Sequence, residues 1–104
     1  MTRVDVTGES RSSRVLAGRY RLIGLIAQGG MAEVWDGHDE LLARPVAVKI
    51  PLAHLAGQAA FVERFRKEAI AAARLSHPNL VSIYDTGTDG NDSFIVMELV
   101  RGPS

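Results

Sequence analysis

Ala27-Gln28-Gly29-Gly30-Met31-Ala32-Glu33-Val34-Trp35 sets two adjacent glycines between segments that both read as strands. Upstream, Tyr20-Arg21-Leu22-Ile23-Gly24-Leu25-Ile26 is rich in β-formers, and downstream Glu33 to His38 alternates weakly between apolar and polar residues. The glycine pair therefore predicts a hairpin turn. Such a turn can also lie close over a ligand and aim amide hydrogens at phosphate oxygens, because no side chain stands in the way. The residues alone leave both readings open, an ordinary turn and a phosphate-covering loop.

Outward from that turn, Pro45-Val46-Ala47-Val48-Lys49-Ile50 is a short apolar run closed by Pro51, and Asp39 to Arg44 links it to the strand before. The period then lengthens. Phe61, Phe65, Ala69 and Ala72 or Ala73 recur at spacings of three and four within Ala59 to Leu75, which holds neither glycine nor proline, so a helix is predicted there. Ser76-His77-Pro78-Asn79 ends it, since a residue before proline is pushed out of the α region. Leu80 to Asp85 and Ser93 to Leu99 read as two strands joined by the turn residues Thr88-Asp89-Gly90-Asn91. The expected order is β-β-β-α-β-β, an α+β fold with a five-stranded antiparallel sheet and one main helix.

Composition narrows the function classes. A chain of 104 residues that is 46% hydrophobic and 23% charged is at most one globular domain. Twelve acidic against twelve basic residues build no field for nucleic acid or a membrane surface. The absence of cysteine excludes disulfides and thiolate metal sites, and no metal ligands are assigned. No apolar run approaches the roughly 18 residues that span a bilayer, and no apolar segment follows Arg3 as in a signal peptide, which points to a cytoplasmic segment. Residues 1–18, polar and without period, read as a flexible N-terminal arm preceding a domain over 19–104.

Lys49 ends an apolar strand, where an ammonium near the core is costly unless an anion meets it. The alternative is a lysine snorkelling from an edge strand into water. Glu68, three residues beyond Phe65, lies beside the apolar stripe of the helix and offers Lys49 a partner, although it can equally pair with Arg64 four residues earlier.

Taken in order, these segments resemble the N-terminal lobe of a protein kinase, of the eukaryotic-like serine/threonine type found in bacteria. The matching residues are Ile26 to Val34 for the glycine-rich loop, Val46-Ala47-Val48-Lys49 for the VAIK-type motif and Arg64-Phe65-Arg66-Lys67-Glu68-Ala69 for the helix with the paired glutamate. His77-Pro78-Asn79-Leu80-Val81 and Ile95-Val96-Met97-Glu98-Leu99 follow in the same order, so the resemblance covers residues 20–104.

The resemblance implies roles. Lys49 would hold the α and β phosphates of ATP and be kept in place by Glu68. Ile26 and Ala27 lead into a loop whose backbone, from Gln28 through Gly29 and Gly30 to Met31, would cover the phosphates, with Mg²⁺ accompanying the nucleotide. Val34 and Ala47 would roof the adenine, Met97 falls at the gatekeeper position, and the backbone of Glu98 and Val100 would read the adenine edge. Ala27 and Ala32 stand where the family's loop usually has its outer glycines, and alanine disfavours positive φ.

The family's catalytic-loop Asp and Asn and its DFG Asp have no counterpart in these residues, so the C-terminal lobe, with the Mg²⁺ ligands and the protein-substrate surface, is expected to be missing and the chain alone inactive. Related bacterial kinases often carry a membrane anchor downstream, which the resemblance allows for a longer parent. Exposed apolar area along Phe94 to Val100 would favour self-association. Three readings remain open: part of an enzyme moving the ATP γ-phosphate to Ser or Thr hydroxyls of proteins, a non-catalytic nucleotide-binding or regulatory remnant, and a small α+β interaction domain.

Overall fold

The computed structural model describes residues 14–74, 82–90 and 92–99. Its elements, in chain order, are β1 (Val15–Leu16), β2 (Tyr20–Gln28), β3 (Ala32–Asp39), β4 (Arg44–Pro51), α1 (Ala53–Ala56), α2 (Ala59–Arg74), β5 (Ile83–Asp89) and β6 (Asp92–Met97). The strands form one antiparallel sheet in the order β1-β2-β3-β4-β6-β5.

The architecture is the expected α+β one, with one main helix, but the sheet has six strands rather than five. The added strand, β1, lies inside the segment that composition reads as an arm, and pairs Val15 with Arg21 and Leu16 with Tyr20. Two residues carry no period, so patterning has no hold on it. The turn that follows places Ala17 at φ 53° and Gly18 at φ 67°, and Arg19 donates its amide to the Leu16 carbonyl at 2.9 Å. The second short addition, α1, is a single turn after Pro51. At the distal hairpin, strand pairing runs on through Thr88 and Asp89, residues whose composition reads as turn, and Gly90 takes φ 64° at the tip. The first residues of that expected strand, Leu80 and Val81, lie outside the described residues.

β4 is central, flanked by β3 and β6, and its alternation sorts the whole sheet. Val46, Val48 and Ile50 join Leu16, Tyr20, Leu22, Trp35, Phe94 and Val96 in one buried cluster. Ala47 and Lys49 point to the other face, where the register sets Lys49 opposite Val34 on one side and Ile95 on the other. On that face α2 packs Phe65 and Ala69 against Ala32 and Ile95, with Phe61, Ile83 and Met97 partly buried beside them. Of the segment Phe94 to Val100, whose apolar character is expected to favour self-association, Phe94, Ile95 and Val96 are buried in an interior strand, and Val100 lies outside the described residues.

The sheet curls until its two ends touch. Tyr20, from β2, donates its hydroxyl to Asp85 of β5 at 2.6 Å, and its ring meets Phe94 edge-on at 5.8 Å. Arg14, just before β1, donates to Asp92 at 2.7 Å, while the Ala17 amide donates to Asp89 at 3.1 Å. Burial and the Asp85 carboxylate push the Tyr20 hydroxyl well above its ordinary range, so it stays a proton donor.

Asp39 holds the opposite corner. Its side chain is 1% exposed, accepts two bonds from the Arg19 guanidinium at 2.9 Å each, and accepts the Leu41 and Leu42 amides at 3.0 and 3.1 Å. These bonds, Arg19 foremost, hold the carboxyl down to about 2 against an ordinary 3.8. A folded-state value below the unfolded one means stability that is complete above pH 3.8 and is lost as the pH falls through about 2. Acid titration of the fold should show that component, and Asp39→Asn should remove it while lowering stability at neutral pH by about 1–2 kcal/mol in denaturant melts, since the charge-assisted bonds to the partly exposed Arg19 are weakened.

A further test concerns Gly87. A Cβ there would stand 2.8 Å from the Cζ of the buried Phe94 ring. Gly87→Ala should therefore destabilise the fold by about 1–3 kcal/mol, read from the same melts.

Candidate functional site

The β2–β3 turn, residues 29–31, is held by two backbone bonds. Gly29 donates to the Ala32 carbonyl and Leu52 donates to the Met31 carbonyl, both at 2.9 Å. The second bond ties the turn to the β4–α1 junction and so to the strand bearing Lys49. Neither Gly29 nor Gly30 takes a positive φ, and a Cβ on Gly30 would meet nothing within 4 Å. Backbone conformation and packing within the chain therefore give no reason for the glycines. Ala27 and Ala32 lie in strands with ordinary φ, so the reluctance of alanine toward positive φ costs nothing at either position. Ala32 instead buries its methyl against α2.

Beneath this turn lies a cavity of about 350 Å³. Ala27, Gln28, Gly29, Gly30, Met31, Ala32 and Val34 form its roof and Lys49 its side wall, while α2 closes it with Phe61, Arg64, Phe65 and Glu68. Period explains the helical wall: residues 61, 64, 65 and 68 share one side of α2, the side whose buried members are Phe65 and Ala69. The Phe61 and Phe65 rings stack 6.2 Å apart along it.

Lys49 is half-buried on a central strand and faces this cavity, so the edge-strand alternative for it does not hold. Glu68 is exposed on the facing helix. Among the described residues no ion pair within 4.0 Å joins Lys49, Arg64 or Glu68 to one another. The helix pairs Lys67 with Glu63 at 3.9 Å on its solvent side instead.

The structure thus brings eight of the sequence-derived site residues together around one space: Ala27, Gln28, Gly29, Gly30, Met31, Val34, Lys49 and Glu68. Four more lie outside its lining. Ile26 is exposed, Ala47 is buried opposite Met97 in the β4–β6 register, and Glu98 donates its amide to the Ser82 carbonyl at 2.9 Å, a bond that does not involve the Glu98 carbonyl. Val100 lies outside the described residues. Phe61, Arg64 and Phe65 are lining residues that the site reading passes over, although the helical period already places Phe61 and Phe65 on the inner side.

A family model described as protein tyrosine and serine/threonine kinase matches residues 20–104. The chain belongs to the protein kinase family. Among curated relatives of this kinase chain, the probable serine/threonine-protein kinase pknA2 of Bifidobacterium longum is 44% identical over 97 residues, covering 90% of the chain and 13% of the relative. Serine/threonine-protein kinase PknA of Mycobacterium tuberculosis is 46% identical over 92 residues, covering 84% of the chain and 21% of the relative. The crystal structure of the Mycobacterium tuberculosis PknI kinase domain superposes with a TM-score of 0.68 at 28% identity, over 86% of this chain and 36% of that one.

The chain therefore spans a fifth or so of these curated relatives at most, and the matched part is the N-lobe portion of a kinase domain. Protein kinases generally use ATP and Mg²⁺. Among the described residues no helix is long and apolar enough to cross a membrane.

Because open space surrounds the Gly30 Cα, Gly30→Ala should leave thermal stability within about 0.5 kcal/mol of the parent. Differential scanning calorimetry of the two chains checks this, and a larger loss would place an internal packing duty on the glycine.

Proposed function

We propose that the chain is the nucleotide-binding part of a serine/threonine protein kinase that transfers the γ-phosphate of ATP to Ser or Thr hydroxyls of proteins. The observation that carries this reading is the convergence of an uncrowded glycine turn, a central-strand lysine and a helical glutamate on one cavity. The glycine backbone can approach phosphate oxygens closely, and Lys49 supplies a cation whose burial an anion offsets. Glu68 lines the same space, where the kinase resemblance pairs it with Lys49. The base would lie along Val34 and Ala47 toward Met97, with the backbone of Glu98 and Val100 reading its edge and Ile26 and Ala27 at the entrance.

Bound Mg²⁺ would neutralise developing charge on the phosphates. None of its ligands is assigned to residues of this chain. Lys49 and the turn bind and orient the phosphates, and no residue here is assigned to orient an acceptor hydroxyl, so we expect the 104 residues alone to bind nucleotide without transferring phosphate. An ATP-using segment of this kind belongs in the cytoplasm, with protein substrates as the partners of the whole kinase.

A second reading, a nucleotide-binding regulatory module, draws its support from the unformed ion pair between Lys49 and Glu68. Both readings require Lys49 for nucleotide. Calorimetric titration of ATP into the chain should show binding, and Lys49→Met should weaken it by roughly tenfold or more, the effect of losing one charge-assisted contact. Equal affinity in the two chains would remove the assignment and leave a small interaction domain.

A further inference from the structure

The cavity wall holds one cation that the nucleotide reading leaves without a task. Arg64 lines the same space as Lys49 and the glycine turn, one helical turn before Glu68. The other lysine of the chain, Lys67, is directed to solvent, 73% exposed and paired with Glu63. Arg64 instead belongs to the side of α2 that carries Phe61 and Phe65.

Charge counting decides what the cavity wants. Its lining holds two cations, Lys49 and Arg64, against one carboxylate, Glu68. If Glu68 pairs with Lys49, Arg64 is left as an uncommitted positive charge at a wall partly made of aromatic rings. If Glu68 pairs with Arg64, Lys49 is left so. Either way one cation remains for an anion, and a polyphosphate bound under the turn would bring enough negative charge to engage both. A guanidinium suits the outer end of such a chain, because its planar fork can take two oxygens of a terminal phosphate, where an ammonium acts as a single point charge.

We propose that Arg64 is an anion-binding residue of this cavity that contacts the terminal phosphate of a nucleoside triphosphate, and so sets a preference for triphosphate over diphosphate. The proposal rests on the nucleotide reading for the identity of the ligand, but the role of Arg64 toward a phosphate chain can be tested apart from it. Arg64 is exposed and outside both buried clusters, so its replacement should leave the fold intact.

The test measures binding of ATP, ADP and inorganic tripolyphosphate to the full chain, to Arg64→Gln and to Arg64→Lys, with thermal melts as the control for folding. Arg64→Gln should lose roughly tenfold for ATP and tripolyphosphate and less than about twofold for ADP, in line with one charge-assisted contact to the last phosphate. Arg64→Lys should recover part of the ATP affinity, as a retained charge without the fork would. An unchanged ratio of ATP to ADP affinity in Arg64→Gln would overturn the proposal while leaving the nucleotide reading in place. If the parent chain binds tripolyphosphate in an Arg64-dependent way but neither nucleotide, the role of Arg64 stands and the nucleotide reading falls. If it binds none of the three, both fall.

Discussion

Everything functional in this chain depends on β4 being covered on both faces. Val46, Val48 and Ile50 are fully buried in the inner cluster, and that fixes the strand's parity, because a shift of one residue would drive Lys49 into the apolar interior. With parity fixed, Lys49 must project toward α2 between Val34 and Ile95. The helix is placed in turn by Phe65 and Ala69 against Ala32 and Ile95, so the side chains flanking that stripe, Arg64 and Glu68, arrive at the same space. The site is thus a by-product of two packing periodicities, 2.0 along the strand and 3.6 along the helix, meeting across one layer.

Those periodicities also make much of the architecture legible in the sequence. Strands β2 to β4 and β6 and the helix α2 announce themselves through apolar spacing, and the glycine pair and Lys49 stand at their ends. What escaped has little spacing to offer. β1 is two residues long and exists because a left-handed turn at Ala17 and Gly18 folds it back onto β2, a conformation alanine does not advertise. α1 is a single turn. The extension of β5 through Thr88 and Asp89 reflects pairing with β6, a tertiary gain that outweighs the turn preference of those residues.

At the site, sequence spacing identified which residues face the helix but not which of them share a cavity. Ala47 follows the parity of Lys49, yet it sits two residues back along β4, against Met97, and belongs to a different part of the same face. Arg64 is passed over for a different reason: the helical period already sets it on the side of Phe61, Phe65 and Glu68, but an arginine four residues before a glutamate reads first as that glutamate's ion-pair partner.

The way the sheet closes on itself bears on what its outer strands present to a second molecule. A row of unpaired amides and carbonyls at an outer strand is a template for strand addition from a second molecule. Here one outer strand is only two residues long, and the other, β5, has its own Asp85 and Asp89 carboxylates engaged by Tyr20 and by the Ala17 amide. Those contacts use side chains, so they tether β5 to the far end of the sheet and fix the shape of the edge that a foreign strand would meet.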